Sequence, residues 1–210
     1  INWLKEDLSG IINVLFSDLN EEGRIVCNGK NGGSTLSLVI RRVGVDLWIA
    51  NVGDSEVKMV DLNDEKIKTL SFDHSPSNIN EARRILKSYP ESIFEYDRYD
   101  KDGENIPLYF FDKDDIKMLP PRENVYYRNR LNQFATYVGF NDDDKISFTR
   151  GIGDYEYENK IGFISTPSIN KTEDILPNQG VIIATDGFWG SWTNIEIIEF
   201  MKNKPVHMLK

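Results

Sequence analysis

The sequence predicts an α+β domain built on antiparallel sheets. Three observations point there. Short runs rich in Val, Ile, Leu and Trp follow one another quickly between turn residues, as antiparallel strands do. A few other segments carry helical spacing. Regular strand–helix–strand alternation is missing, so a parallel βαβ sheet is not indicated. With 210 residues, 40% of them hydrophobic, the chain has material for one substantial core. We therefore expect a single domain over residues 1–210.

Ile1, Leu4, Leu8, Ile11, Ile12, Leu15 and Leu19 predict an amphipathic helix over Ile1–Leu19, with Gly10 allowing two shorter helices instead. A glycine-rich turn follows at Asn28-Gly29-Lys30-Asn31-Gly32-Gly33. The period then changes. Ser34–Arg41, Asp46–Val52 and Glu56–Leu62 read as strands, and Gly53-Asp54-Ser55 is a tight turn between the last two. Asp73-His74-Ser75-Pro76 is a polar turn. Asn78 starts a helix with Glu81 in a capping-box-like position, Ala82, Ile85 and Leu86 on the buried side, and Tyr89-Pro90 at its end.

Residues 91–144 are rich in Asp, Lys, Tyr and Asn. They read as a divergent insertion with some strand content and a hairpin signal at Asp102-Gly103. Ile146–Phe148, Gly162–Ser165 and Gln179–Ala184 then read as strands. The last is a continuous apolar run, expected of a strand buried on both faces. Thr193 and Glu196 form a capping box before a helix carrying Ile195, Ile197, Ile198 and Phe200.

The formal charge of −9 argues against nucleic-acid binding, because phosphates repel an acidic surface. The acidity itself is either a solvated surface or, in part, carboxylates converging on hard cations such as Mg²⁺ or Mn²⁺. The single cysteine, Cys27, forms no internal disulfide and suits a packing role, and a reducing, intracellular and cytoplasmic setting is expected. No stretch approaches the roughly 20 apolar residues that cross a bilayer, and no signal-peptide pattern opens the chain. The first residue is Ile1, so an upstream segment is expected.

Asp54, Asp154 and Asp186 share one local setting, a strand end beside a glycine. The strand end fixes the backbone, and the glycine leaves room for an ion or a phosphate. Carboxylates gathered from separate strand ends repel one another unless a cation neutralises them. Taken singly, each is also an ordinary turn aspartate.

The ordered set says more. Gly33-Ser34-Thr35, Ala50-Asn51-Val52-Gly53-Asp54-Ser55, Asp73-His74-Ser75-Pro76 with Glu81 and Arg84-Ile85, Thr149-Arg150-Gly151-Ile152-Gly153-Asp154, and Ala184-Thr185-Asp186-Gly187-Phe188-Trp189 resemble successive motifs of the protein phosphatase 2C family. The resemblance implies a sandwich of two antiparallel sheets flanked by helices, with a two-metal site at one end and Mg²⁺ or Mn²⁺ as cofactor. It implies Asp186 as a metal ligand and Asp54 as the aspartate of an additional, weaker metal. Gly53 and Ser55 would shape that turn, and Arg150, Gly153, Asp154 and Gly187 would support the site. His74 matches a turn histidine, with a hydrogen-bonded structural role as the plain alternative, and His207 is assigned nothing.

The departures bear on activity. The family's upstream Asp-Gly-His-Gly-Gly motif, which supplies a bridging aspartate and a general-acid histidine, is absent, as is the phosphate-binding arginine before it. The later Asp-Asn motif is absent too, so the fold is expected to be incomplete at both ends. Glu56 stands where the family usually has arginine, and Gly190 where it has an acidic residue. No catalytic residue is identified in the 210 residues. Three readings result: hydrolysis of phosphoserine or phosphothreonine in a phosphoprotein substrate, an inactive pseudophosphatase acting as a binding module, or an acidic domain whose turns are only turns. The 210 residues alone are expected to give little or no turnover.

Overall fold

A computed structural model describes residues 6–26, 32–104, 106–112, 115–119, 126–127 and 135–203. Ile1, Leu4, Cys27, His207 and the turn residues 28–31 lie outside these.

Helix α1 (Ser9–Val26) begins later and ends later than the spacing predicts. Asp7 accepts from the Ser9 amide at 2.8 Å and so starts the helix. Leu8 just before it, with Ile12 and Phe16, makes the buried stripe. Ile11, Leu15 and Leu19 are exposed, because apolar residues cover more of this helix than one sheet face can bury.

The predicted strand Ser34–Arg41 is divided at Thr35 into β1 (Gly33–Ser34) and β2 (Leu36–Arg42). Then come β3 (Asp46–Val52), β4 (Glu56–Asp61) and β5 (Lys66–Thr69), the last not anticipated because its Lys-rich sequence hides a strand. Helix α2 (Ile79–Ser88) starts at Asn78 as predicted, but the Asn78 side chain accepts from the Asn80 amide while the Glu81 carboxylate turns inward.

The insertion carries β6 (Ile93–Tyr96), β7 (Arg98–Tyr99), β8 (Tyr109–Asp112), β9 (Asp115–Met118), β10 (Tyr126–Tyr127) and β11 (Thr136–Gly139). The chain does turn at Asp102-Gly103, where the Gly103 amide donates to the Asp100 carbonyl at 3.1 Å. Across that turn the Asp100 amide donates to the Glu104 carbonyl at 2.9 Å and the Ile106 amide to the Arg98 carbonyl at 2.8 Å, as in a hairpin, while β7 also pairs with β10. β12 (Lys145–Ile146) joins β11 and β6 in an antiparallel sheet, and β13 (Ile152–Gly153) pairs with β1. Ile85, Val138, Ile161 and Phe163 pack together, so this sheet is seated on α2 and on α3 (Glu158–Ile161).

Gly162–Ser165 is not a strand. Gly162 ends α3 in the left-handed region at φ 67°, and only Ile164 makes a bridge, to Arg150. The strand lies further on, as β14 (Ser168–Glu173), whose polar sequence obscured it. β15 (Gln179–Ala184), the short α4 (Asp186–Trp189) and α5 (Asn194–Lys202) complete the described chain, with the predicted capping box at Thr193 and Glu196.

The core is a sandwich of two antiparallel three-stranded sheets, ordered β14-β3-β2 and β15-β4-β5. Alternation along β3 explains the layering. Trp48, Ala50 and Val52 meet Ile12 and Phe16 of α1 on one face. Leu47 and Ile49 meet Val57, Met59 and Val181 of the second sheet on the other. Every β3 residue is consequently buried. The second sheet turns Val60 and Ile182 to Trp189, Ile197 and Ile198. The order is helix, sheet, sheet, helix. β15 is not buried on both faces as its apolar run suggested: among the described residues it lies at a sheet edge, and Ile183 is 50% exposed. No helix among the described residues is long and apolar enough to cross a membrane.

Candidate active site

β4 and β15 pair antiparallel with Glu56 opposite Ala184. Asp54 lies two residues before Glu56, and Asp186 two residues after Ala184. Both aspartates therefore leave the same end of one strand pair. They line an open cavity of about 710 Å³ together with Glu56 and Asp73. Much of the remaining wall is hydroxyl: Ser75, Ser77, Thr136, Ser147 and Ser191. Thr136, on β11, brings the insertion to the rim.

Local structure holds each acid in place. Gly53 has φ 95°, and a Cβ there would stand 2.2 Å from Thr35 Cγ2, so only glycine fits. The hydroxyls of Thr35 and Ser55 hydrogen-bond at 2.7 Å across the same turn. Asp186 accepts from the Gly187 amide at 2.8 Å. The Trp189 indole donates to the Ala184 carbonyl at 2.9 Å and the Glu56 carbonyl at 3.3 Å, tying α4 to the ends of both strands. Asp73 accepts from the Ser75 amide at 2.8 Å and its hydroxyl at 2.7 Å.

Burial first, then the charge of Asp186 and to a smaller degree those of Asp73 and Glu56, push the Asp54 carboxyl up to about 6. No residue lining the cavity is cationic. A site of this kind gains from a cation. Its donors are all oxygen, which fits hard ions such as Mg²⁺ or Mn²⁺. No three acidic, histidine or cysteine side chains among the described residues are grouped closely enough to hold an ion alone. An ion there would keep water in much of its shell, as Mg²⁺ readily does.

Behind the cavity lies a second acidic centre. Glu81 is 4% exposed. Its carboxylate accepts from Arg150 Nε at 3.1 Å and Nη2 at 2.5 Å, Arg84 Nη2 at 2.9 Å and the Thr149 hydroxyl at 2.8 Å. Burial alone would raise this carboxyl, but the Arg150 hydrogen bonds and the charges of Arg84 and Arg150 bring it down to about 2. His74 is also buried. Its Nε2 lies 2.8 Å from the Ser168 hydroxyl, and its amide donates to the Gly53 carbonyl at 3.3 Å. Burial, with Arg150 nearby, pulls its pKa down to about 4, so the ring is neutral at pH 7.

Of the three glycine-flanked aspartates, the structure brings two together. Asp154 sits against Gly33 in the left-handed region (φ 50°), and its amide donates to the Gly32 carbonyl at 3.1 Å. Neighbouring Gly153, at φ 88°, donates its amide to Asn20 Oδ1 at 2.9 Å. Neither lines the cavity. Arg150 does not turn to Asp154 but to Glu81. Sequence reasoning passed over Asp73 and Glu56 as site residues. Each has an ordinary local explanation, as a turn acid and as the first residue of a strand, and only the register of the sheet brings them to the cavity.

The protein phosphatase 2C family model matches residues 16–93 and 123–208. Protein phosphatase 1L of Bos taurus is 30% identical over 137 residues, which is 63% of this chain and 32% of that protein. A serine-threonine phosphatase 2C from Toxoplasma gondii superposes with a TM-score of 0.62 at 16% identity, over 91% of this chain and 54% of that one. A sex determining protein of C. elegans gives 0.63 at 17% identity, over 96% of this chain and 40% of that one. The chain thus spans about a third to a half of the length of these relatives.

Proposed function

The chain belongs to the protein phosphatase 2C family, and from that premise we propose that its acidic cleft serves metal-dependent hydrolysis of phosphoserine and phosphothreonine in proteins. The observation that carries this reading is the meeting of Asp54 and Asp186 at one end of the β4–β15 pair, with no cation among the residues lining the cavity. These two aspartates would hold Mg²⁺ or Mn²⁺. When bound, such an ion makes water more acidic and neutralises charge on phosphoryl oxygens.

The chain's own residues then have distinct tasks. Asp54 and Asp186 accept the ion, while Asp73 and Glu56 deepen the negative field that attracts it. That field repels a bare phosphate, so a phosphoryl group enters only where the cation offsets it. Ser75, Ser77 and Ser191 present hydroxyl groups along the path of a phosphoprotein segment. Gly53, Ser55 and Gly187 hold the two aspartate turns; Arg150, Gly153 and Asp154 support the loop behind. His74 is given a structural role, because its ring is buried against Ser168. The lone Cys27 and the absence of a long apolar helix among the described residues favour an intracellular, cytoplasmic setting.

The absence of a three-donor group among the described residues favours a second reading, a pseudophosphatase that binds without turning over. One experiment separates the two. Hydrolysis of p-nitrophenyl phosphate by the whole protein is measured with and without Mn²⁺, for wild type and Asp186→Ala. Manganese-dependent turnover lost in the variant supports the enzyme. A wild-type protein that binds Mn²⁺ without turnover supports the binding module. Turnover indifferent to both Mn²⁺ and the substitution would sink the proposed site.

A further inference from the structure

We propose that Thr149 is a positioning residue, bracing the Asp73–His74 turn so that Asp73 and Asp54 face the same cation. This inference rests on the proposed metal site and adds a residue that does not line it. Thr149 is fully buried. Its amide donates to the His74 carbonyl at 2.7 Å. Its hydroxyl lies 2.9 Å from that carbonyl and 2.8 Å from Glu81 Oε2. A hydroxyl carries one proton, so both acceptors share it.

His74 is the hinge between the two cleft acids. Asp73 precedes it directly, and its own amide reaches back to the Gly53 carbonyl, next to Asp54. Whatever fixes the His74 backbone therefore sets the spacing of the Asp73 and Asp54 turns. Thr149 fixes it from below, and Glu81 fixes Thr149. Glu81 in turn is immobilised by Arg150 and Arg84, which also donate to the Thr166, Gly162 and Thr149 carbonyls. The result is a rigid floor of paired charges under a cleft lined by four acids and no cationic residue. Groups that orient metal ligands from behind commonly change metal affinity about 10–100-fold when altered.

The test uses Mn²⁺ alone as probe, with binding followed by electron paramagnetic resonance of the free ion and stability followed by thermal melting. Thr149→Val keeps the shape and removes the hydroxyl; Thr149→Ser restores it. Ile12→Val, in the α1 core on the far side of the first sheet, is the stability control. The brace predicts a Mn²⁺ dissociation constant raised about tenfold in Thr149→Val, within about twofold of wild type in Thr149→Ser, and unchanged in Ile12→Val. A Thr149→Val protein that melts lower but binds Mn²⁺ as wild type does would reduce Thr149 to a packing residue and overturn the proposal, provided Asp186→Ala weakens binding. If Asp186→Ala leaves binding intact, or wild type binds no Mn²⁺, the metal-site reading fails and the brace falls with it.

Discussion

Asp54, half-buried at the cavity wall, and Glu81, buried, are both carboxylates partly or wholly desolvated, yet they are displaced in opposite directions, to about 6 and about 2. Burial acts on both in the same sense. What differs is company. Glu81 is enclosed by two guanidinium groups and a hydroxyl, whereas Asp54 faces three further acids. The first arrangement is complete in itself and serves the fold. The second has no cationic residue in its lining, and the proposed cation would offset its charge. A paired acid and an unpaired one can thus be told apart by their neighbours.

The comparison can be broken at its strongest point first. Glu81→Ala strands Arg84 and Arg150 in a poorly hydrated setting and should cost about 3–5 kcal/mol in urea unfolding. A loss near that of an ordinary surface substitution would show the network to be incidental. Next, Asp54→Asn removes an acid held in its charged form against its own tendency. The variant should be more stable than wild type at pH 7.5 without divalent ions, by about 1–2 kcal/mol. Mn²⁺ should raise the melting temperature of wild type and not of the variant.

The two acids also give pH dependences of opposite sign. The folded pKa of Glu81 is below its ordinary value, so its contribution is complete above about 4.5 and fades as pH falls toward 2. His74, pulled down from 6.5 to about 4, acts in the same sense: the unfolded chain takes up the proton first, and stability falls between those values as pH drops. Asp54 is raised, so the folded state binds its proton first and stability rises as pH falls from 6 toward 3.8. Melting curves of wild type and Asp54→Asn should therefore converge toward pH 4. The smallest expected effect is on Asp54 itself. In Asp186→Asn its titration, read by carbon NMR, should move partway from 6 toward 3.8 and no further, because burial is the larger cause.

Much of the fold was legible because its strands are punctuated by turns. β3 and β15 have the predicted bounds, and α2 and α5 start at Asn78 and Thr193, where side-chain caps announce them. β5 and β14 were not legible. Their sequences, Lys-Ile-Lys-Thr and Ser-Ile-Asn-Lys-Thr-Glu, belong to partly exposed sheet edges, where partners and not composition decide pairing. The site divides in the same way. Asp54 and Asp186 stand out because glycine follows or precedes each at a strand end. Asp73 and Glu56 carry no such signal, and the inward turn of Glu81 depends on Arg150, which is 69 residues away.

β15 leaves one further consequence. Among the described residues it has a strand partner on one side only; Ile183 is half exposed on one face, and Ile182 lines an apolar groove with Phe188, Trp192 and Phe200 on the other. Bare backbone donors and acceptors next to greasy side chains invite a foreign strand to add itself. For the chain handled by itself, light scattering should rise with concentration, and lysine at position 183 should suppress it.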